Sequence, residues 1–233
     1  MARVYVQGGE RIVVEAATNA DPAKLWTVIL GVGASIAGFR RGHVPIHASA
    51  VSTPRGCVAF AGQSGAGKST TAAWLISLGY PLYADDLCLA DLSGNEVTVG
   101  RGIQELRLWD ESIQALGWDD MQPFAVMPDV PKSVFRWTAR SPRIDRLRRI
   151  YVLEFAQETV QPGIYAMEGV QALGALIDCL RVRPRILSTG LAERTFKHLT
   201  TLCRKVEMFR FVRPLDVHSS ERWTRRLMEH FDE

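Results

Sequence analysis

The sequence predicts an α/β protein with a mixed sheet flanked by helices. Three observations carry that reading. Residues 3–6 and 11–14 are short alternating or β-branched runs around Gly8-Gly9, the pattern of a hairpin. Residues 57–61 form an apolar run that passes through a glycine-rich turn into a helix-forming stretch at 68–78. Residues 206–212 read as a strand, and 220–231 as an amphipathic helix with Trp223, Leu227 and Phe231 on one face. Hairpins interleaved with strand–helix units require a sheet that is neither all parallel nor all antiparallel.

The remaining elements come in chain order. Asp21-Pro22 pairs an N-cap residue with proline at the first helical position and opens a helix that reaches Leu30 or beyond. Residues 38–42 read as a glycine-rich basic turn, 46–52 as a strand and 53–56 as a turn. After the glycine loop and its helix, Gly79 serves as a C-cap, and a short strand at 82–84 ends on Asp85-Asp86. Residues 87–92 and 97–99 flank a Ser93-Gly94-Asn95 turn as a hairpin, and 112–116 is a short helix. Four prolines between Gln122 and Pro142 predict a long, partly mobile loop. Residues 149–155 read as a strand, and 170–180 and 192–204 as helices. The 233 residues are therefore read as one domain, with an N-terminal hairpin and helix (1–43), a core (44–120), a basic loop (121–148) and a strand–helix part (149–233).

Composition narrows the class. Apolar residues make up 47 % and charged residues 23 %, which excludes disorder, collagen-like sequence and coiled coil. A chain of this length buries enough surface to fold without a disulfide or metal staple. The net charge of +3 is too small to imply nucleic acid. Cys57, Cys88, Cys179 and Cys203 lie far apart in apolar runs with no CxxC pair, and read as small buried hydrophobes in a reducing compartment. The longest apolar stretch, 25–39, holds three glycines and falls short of the ~20 residues needed to span a bilayer. No secretory signal is visible at the N-terminus. A cytoplasmic protein with no membrane partner is expected, and a homo-oligomer remains open.

The strongest signal is Gly62-Gln63-Ser64-Gly65-Ala66-Gly67-Lys68-Ser69, which fits G-x-x-x-x-G-K-[ST] between a strand and a helix. Glycines allow successive backbone N–H groups to turn inward on a phosphate, and the adjoining helix adds the positive end of its dipole. Lys68 then reaches the β and γ oxygens, and the Ser69 hydroxyl can ligate Mg²⁺. ATP would lie on 62–70, Thr70 included. Asp85 and Asp86 end the next strand, where the metal-organising acid of such proteins stands. Adjacent residues of a strand face opposite ways, so one acid is read toward the Mg²⁺ shell and the other as acceptor of a hydroxyl proton. His47, in Ile46-His47-Ala48-Ser49-Ala50-Val51, reads on composition alone as a core histidine.

In their order and spacing, the 46–51 segment, the 62–70 loop, Leu78-Gly79-Tyr80 and Ala84-Asp85-Asp86 resemble the catalytic domain of HPr kinase/phosphorylase. They look closer still to the shorter HPr-kinase-like proteins, some of which accompany lasso-peptide biosynthesis. The specific motifs span roughly residues 44–110. The resemblance implies a fold like that of phosphoenolpyruvate carboxykinase, and a function for His47 in assisting the catalytic carboxylate. It implies phosphate contact by Lys68, metal contact by Ser69, and roles for Asp85 and Asp86 as the paired acids, one of them accepting the proton of a substrate serine. Within Arg101-Gly102-Ile103-Gln104-Glu105-Leu106-Arg107-Leu108-Trp109, Glu105 is the candidate for a metal contact and Arg107 for a phosphate contact; Asp86 is the second candidate metal ligand. Thr70 stands where HPr kinases carry an acid, and the family's signature for handling HPr is not recognisable. No counterpart of the separate N-terminal domain of full-length HPr kinases is expected. HPr as substrate and a reverse phosphorylase activity are therefore not expected.

The substrate side is less defined. Residues 132–149 hold Lys132, Arg136, Arg140, Arg143, Arg146, Arg148 and Arg149 against one acid, Asp145. Such a run attracts an acidic peptide, a carboxylate or nucleotide phosphates, or is simply a solvated face. Only Trp137 offers base stacking there, which argues against nucleic acid. The expectation is an ATP- and Mg²⁺-dependent kinase acting on a serine of a peptide or protein, including a lasso precursor. A small-metabolite kinase for free serine or a sugar, and a nucleotide-sensing module without turnover, are the alternatives.

Overall fold

The computed structural model describes residues 2–127, 130–138, 143–182, 192–216 and 219–232. Its centre is a nine-stranded mixed sheet with helices on both faces. The spine is β12 (Ile144–Phe155), a run of twelve residues. Its first residues pair antiparallel with β8 (Thr98–Gly100), and from Leu147 onward it lies between β5 (Gly56–Ala61) and β14 (Glu207–Arg213), parallel to both. Beyond β5 come β4 (Ala48–Thr53) and β6 (Leu82–Ala84), and beyond β14 comes β13 (Gly163–Met167). Beyond β8 come β7 (Cys88–Asp91) and β3 (Val44–Ile46).

β5 is apolar throughout, and β12 is apolar from Ile150 to Leu153, because both faces are covered there. Alternation along them sorts side chains into two cores. Cys57, Ala59 and Ala61 of β5, with Ile150 and Val152 of β12, face one core. It is closed by α5 (Gly169–Asp178) and α6 (Ala192–Lys205) through Leu176, Leu199 and Leu202. Val58, Phe60, Tyr151 and Leu153 face the other core, under α3 (Lys68–Ser77) and the C-terminal helix α7 (Ser220–Asp232), which contributes Leu227 and Phe231. Here the 3.6-residue stripe of the C-terminal helix buries as its spacing predicts.

The N-terminal hairpin forms as β1 (Ala2–Gln7) and β2 (Arg11–Ala16), apart from the main sheet. The helix after Pro22 runs further than its glycines suggest. It consists of α1 (Pro22–Val28), a π turn (Ile29–Gly33) and α2 (Ala34–Arg40), so most of the turn expected at 38–42 is helical. Gly38 lets the helix approach β7 closely, since a Cβ there would lie 2.7 Å from the Leu89 side chain.

The proline-rich stretch also departs from expectation. β11 (Lys132–Arg136) pairs with β9 (Glu105–Trp109) on one side and β10 (Ala125–Val126) on the other in a three-stranded antiparallel sheet, with α4 (Asp110–Leu116) between β9 and β10 in the chain. Pro123 and Pro131 precede the paired residues, so they end strands instead of preventing them, and Pro128 and Pro142 lie outside the described residues. The basic run is accordingly spread over β11 and β12. Arg136, Arg146 and Arg149 form ion pairs with Glu105, Glu96 and Glu207, whereas Lys132 borders the cavity described below; Arg140 lies outside the described residues. All four cysteines are free thiols, with Cys57, Cys88 and Cys179 buried. Among the described residues, no helix is long and apolar enough to cross a membrane.

Phe60 is fully buried and stacks on Tyr151 at 6.1 Å between centroids. Phe60→Ala is expected to lower unfolding free energy by about 3–5 kcal/mol, read from the urea midpoint at constant slope.

Candidate functional site

Two strand breaks build the site. The run read as one strand over 46–52 is interrupted at His47, whose backbone N–H donates to Cys179 O at 2.7 Å instead of joining the ladder. Before the break β3 pairs with β7; after it β4 pairs with β5 and β6. The partner chain breaks at the same level, between β6 and β7, and the break is Asp85-Asp86-Leu87. His47 and the two acids therefore meet where both strands change neighbours, a position at which α/β sheets open a crevice.

The acids do not diverge by strand pleating, the arrangement their adjacency predicts; they lie past the end of β6. Asp86 adopts a left-handed backbone (φ 69°), which a short polar side chain tolerates. That single conformation sends the two carboxylates apart. Asp85 is buried and accepts hydrogen bonds from Ser49 Oγ and, at 3.0 Å, from Ser69 Oγ. Asp86 Oδ1 lies 3.2 Å from His47 Nδ1, and its Oδ2 accepts from Arg181 Nη2 at 2.8 Å. His47 Nδ1 also lies 3.0 Å from Asp86 O. Both of these oxygens only accept, so Nδ1 carries the proton.

The electrostatics diverge accordingly. Burial pushes the Asp85 carboxyl up, against the lowering effect of the two serine hydroxyls. Burial also acts on Asp86, but the His47 hydrogen bond and the Arg181 charge outweigh it and bring the group down to about 2.

The glycine loop runs from β5 into α3. Gly62, Gly65 and Gly67 all have positive φ (142°, 86° and 80°), which explains the spacing of the motif. Lys68 is buried, and its Nζ donates to Gly62 O at 2.9 Å and Gln63 O at 3.0 Å. Two of its three protons are committed to the loop, which leaves a third. Burial lowers its pKa, with Asp85 pulling the other way. Thr70 Oγ1 is 3.0 Å from Ser112 Oγ and so belongs to the packing of α3 on α4.

Loop and acids open into one cavity of about 1020 Å³. Of the residues singled out from the sequence, His47, Gln63, Ser64, Gly65, Gly67, Lys68, Ser69, Thr70, Asp85, Asp86 and Arg107 line it, whereas Gly62 and Ala66 support the loop from behind. Glu105 does not reach it. It stands opposite Arg136 across the β9–β11 ladder, and Arg136 Nη2 holds its Oε1 at 2.6 Å. The Ser69 hydroxyl likewise bonds to Asp85 and not to Asp86. Among the lining side chains that the sequence did not mark are Arg181, Arg213 and Trp109. Arg181 comes after α5 and is strapped to β3 by its backbone N–H to Pro45 O at 2.9 Å. Arg213 ends β14, and Trp109 ends β9. The only sequence signal for the two arginines is a cation closing an apolar run.

No family model and no curated protein matches the chain. Among solved structures, the Hpr(Ser) kinase/phosphatase from Coxiella burnetii aligns over 81 % of this chain and 99 % of that chain, with a TM-score of 0.39 and 11 % identity. At that distance it is a likeness only, and the chemistry has to be read from the geometry of the site.

The opposite shifts predict opposite stability effects. Asp86, depressed when folded, stabilises above its unfolded pKa near 4, and that contribution is lost as pH falls toward 2. Asp85, raised when folded, costs stability increasingly as pH rises above ~4. At pH 7.5, Asp86→Asn is expected to lower the melting temperature and Asp85→Asn to raise it. The two differences should shrink toward pH 3 in a series of thermal melts.

Proposed function

We propose that the protein is an ATP-dependent kinase that transfers the γ-phosphoryl group to a serine hydroxyl of a peptide or protein. The observation that carries this reading is one cavity bordered by a glycine loop with its lysine and by two adjacent carboxylates held in different surroundings. The triphosphate lies along 62–69, met by loop amides, the N-terminus of α3 and the remaining Lys68 proton.

The donor set fits a hard divalent cation. Ser69 Oγ and the Asp85 carboxylate, 3.0 Å apart, are the oxygens that would hold it. Among the described residues no group of three His, Cys, Asp or Glu gathers, so the protein offers one or two oxygens. Phosphate and water supply the rest, as magnesium usually requires. A magnesium ion held there supplies charge neutralisation on the transferring phosphoryl group. Asp85 thus takes the metal-side role and Asp86 the acceptor-side role.

Asp86, ionised at all working pH and fixed by His47 and Arg181, orients the serine hydroxyl. The serine oxygen forms its bond to the γ-phosphorus as the bond to the bridging β,γ-oxygen breaks; ADP leaves and Asp86 receives the hydroxyl proton. A group with so low a pKa is a weak base. That suffices where the transition state is loose and little proton transfer has occurred. Arg107, which pulls on both acids electrostatically, is placed to meet charge on the transferring group. The motif resemblance makes a lasso precursor the first peptide acceptor to assay.

The test is transfer of labelled phosphate from ATP with Mg²⁺ to a panel of serine peptides, free serine and sugars. Peptide labelling is expected, with Asp86→Asn at least ~10²-fold slower and Lys68→Met inactive. Labelling confined to free serine or a sugar would identify a small-metabolite kinase. ATP binding with no labelled product would identify a sensing module.

A further inference from the structure

Arg213 is 5 % exposed, yet it borders the cavity. Its Nη2 donates to Ala66 O at 2.7 Å, in the middle of the glycine loop. Nη1 has only Ser220 Oγ at 3.5 Å, and Nε is buried with no partner. Among the described residues no carboxylate pairs with it. The guanidinium plane is fixed by Phe155, whose ring centroid lies 5.1 Å away. Burial alone lowers its pKa to about 10, so it remains charged.

This is an adverse place for a cation. It stands at the N-terminus of α3, where the helix dipole disfavours positive charge, and beside the same loop that holds Lys68. A residue serving only to brace the Ala66 carbonyl has no use for a charge, and desolvating an unpaired one is costly. The loop is nevertheless built around it. A Cβ on Gly67 would lie 2.0 Å from Arg213 Nη2, so glycine is demanded there by the arginine as well as by φ. Lys68, the α3 terminus and Arg213 border one cavity, and Asp85, the acid that acts most on Lys68, is already bonded to Ser49 and Ser69. An anion bound in the cavity reconciles all three.

We propose that Arg213 is a second cationic ligand for the polyphosphate bound on the 62–69 loop, holding the loop through Ala66 and presenting its remaining N–H groups to phosphate oxygens. This rests on the phosphate-binding reading of the loop but not on phosphoryl transfer. Inorganic tripolyphosphate is the probe, titrated calorimetrically into the full chain and into Arg213→Gln and Arg213→Lys at two salt concentrations. Wild type is expected to bind. Arg213→Gln should weaken binding by about ten- to a hundredfold and flatten its salt dependence, with Arg213→Lys between them. A brace alone would shift the melting temperature of the free protein without that fold-change, and equal affinity in wild type and Arg213→Gln overturns the proposal. Failure of folded wild type to bind tripolyphosphate overturns it too.

Should Arg213→Gln fail to fold, the wild-type Arg213 Nε–H resonance, identified by its loss in Arg213→Lys, gives the answer. It should move on adding tripolyphosphate; binding that leaves it unmoved contradicts the proposal. Wild type that binds tripolyphosphate through Arg213 yet transfers nothing from ATP would defeat the kinase reading and leave this one standing. Peptide phosphorylation by Arg213→Gln at an unchanged KM for ATP would do the reverse.

Discussion

Two carboxylates on successive residues repel each other, and burial raises the cost of charging either. The chain resolves this by giving them separate surroundings. Asp85 is turned inward to hydroxyl donors from β4 and α3, and Asp86 is turned outward to an imidazole and a guanidinium. Much of the site's architecture serves that separation. The left-handed turn at Asp86 sets the divergence, and the strand break at His47 brings the imidazole within reach. The strap from Arg181 N–H to Pro45 O fixes the guanidinium on the far side. Gly31, in the π turn of the N-terminal helix, leaves room for it, since a Cβ there would lie 3.2 Å from Arg181 Nη2.

The same logic explains where the molecule tolerates strain. Asp85, Lys68 and Arg213 are buried polar or charged groups, and each is a liability in the isolated fold. They cluster on one rim of a sheet whose two cores are otherwise closely filled by apolar side chains. A rigid sheet lets such groups stay in place without collapsing together, and an anionic ligand would relieve the cations among them. Stability is given up at the site and recovered in the strands that carry it.

The sequence makes the local units legible and leaves the long-range ones hidden. The glycine loop declares itself because the φ values it needs are available to few residues other than glycine, and the C-terminal helix because its apolar stripe has helical spacing. The acids are legible as a pair, but not in their roles. Those depend on Asp86 φ and on Ser69 and Ser49, which reach Asp85 from α3 and from β4, the latter 36 residues away in the chain. The break at His47 leaves no local mark, since no proline or glycine interrupts residues 46–52. β9 and β11 are obscured by prolines that lie between the pairing segments and not within them. Arg181 and Arg213 reach the cavity from positions 95 residues beyond Asp86 and 147 beyond Ala66, and no short motif encodes such neighbours.

The division of labour between the two acids is the premise of the chemistry, and it is open to direct observation. Carbon-13 spectra of the aspartate carboxyls, assigned with the single asparagine variants, track each group through a pH titration of the folded protein. Asp86 should titrate near 2 and Asp85 above the ordinary aspartate range. Two carboxyls titrating together at the ordinary aspartate value would show that the surroundings do not distinguish them, and the assignment of one acid to the metal side and the other to the acceptor would fall.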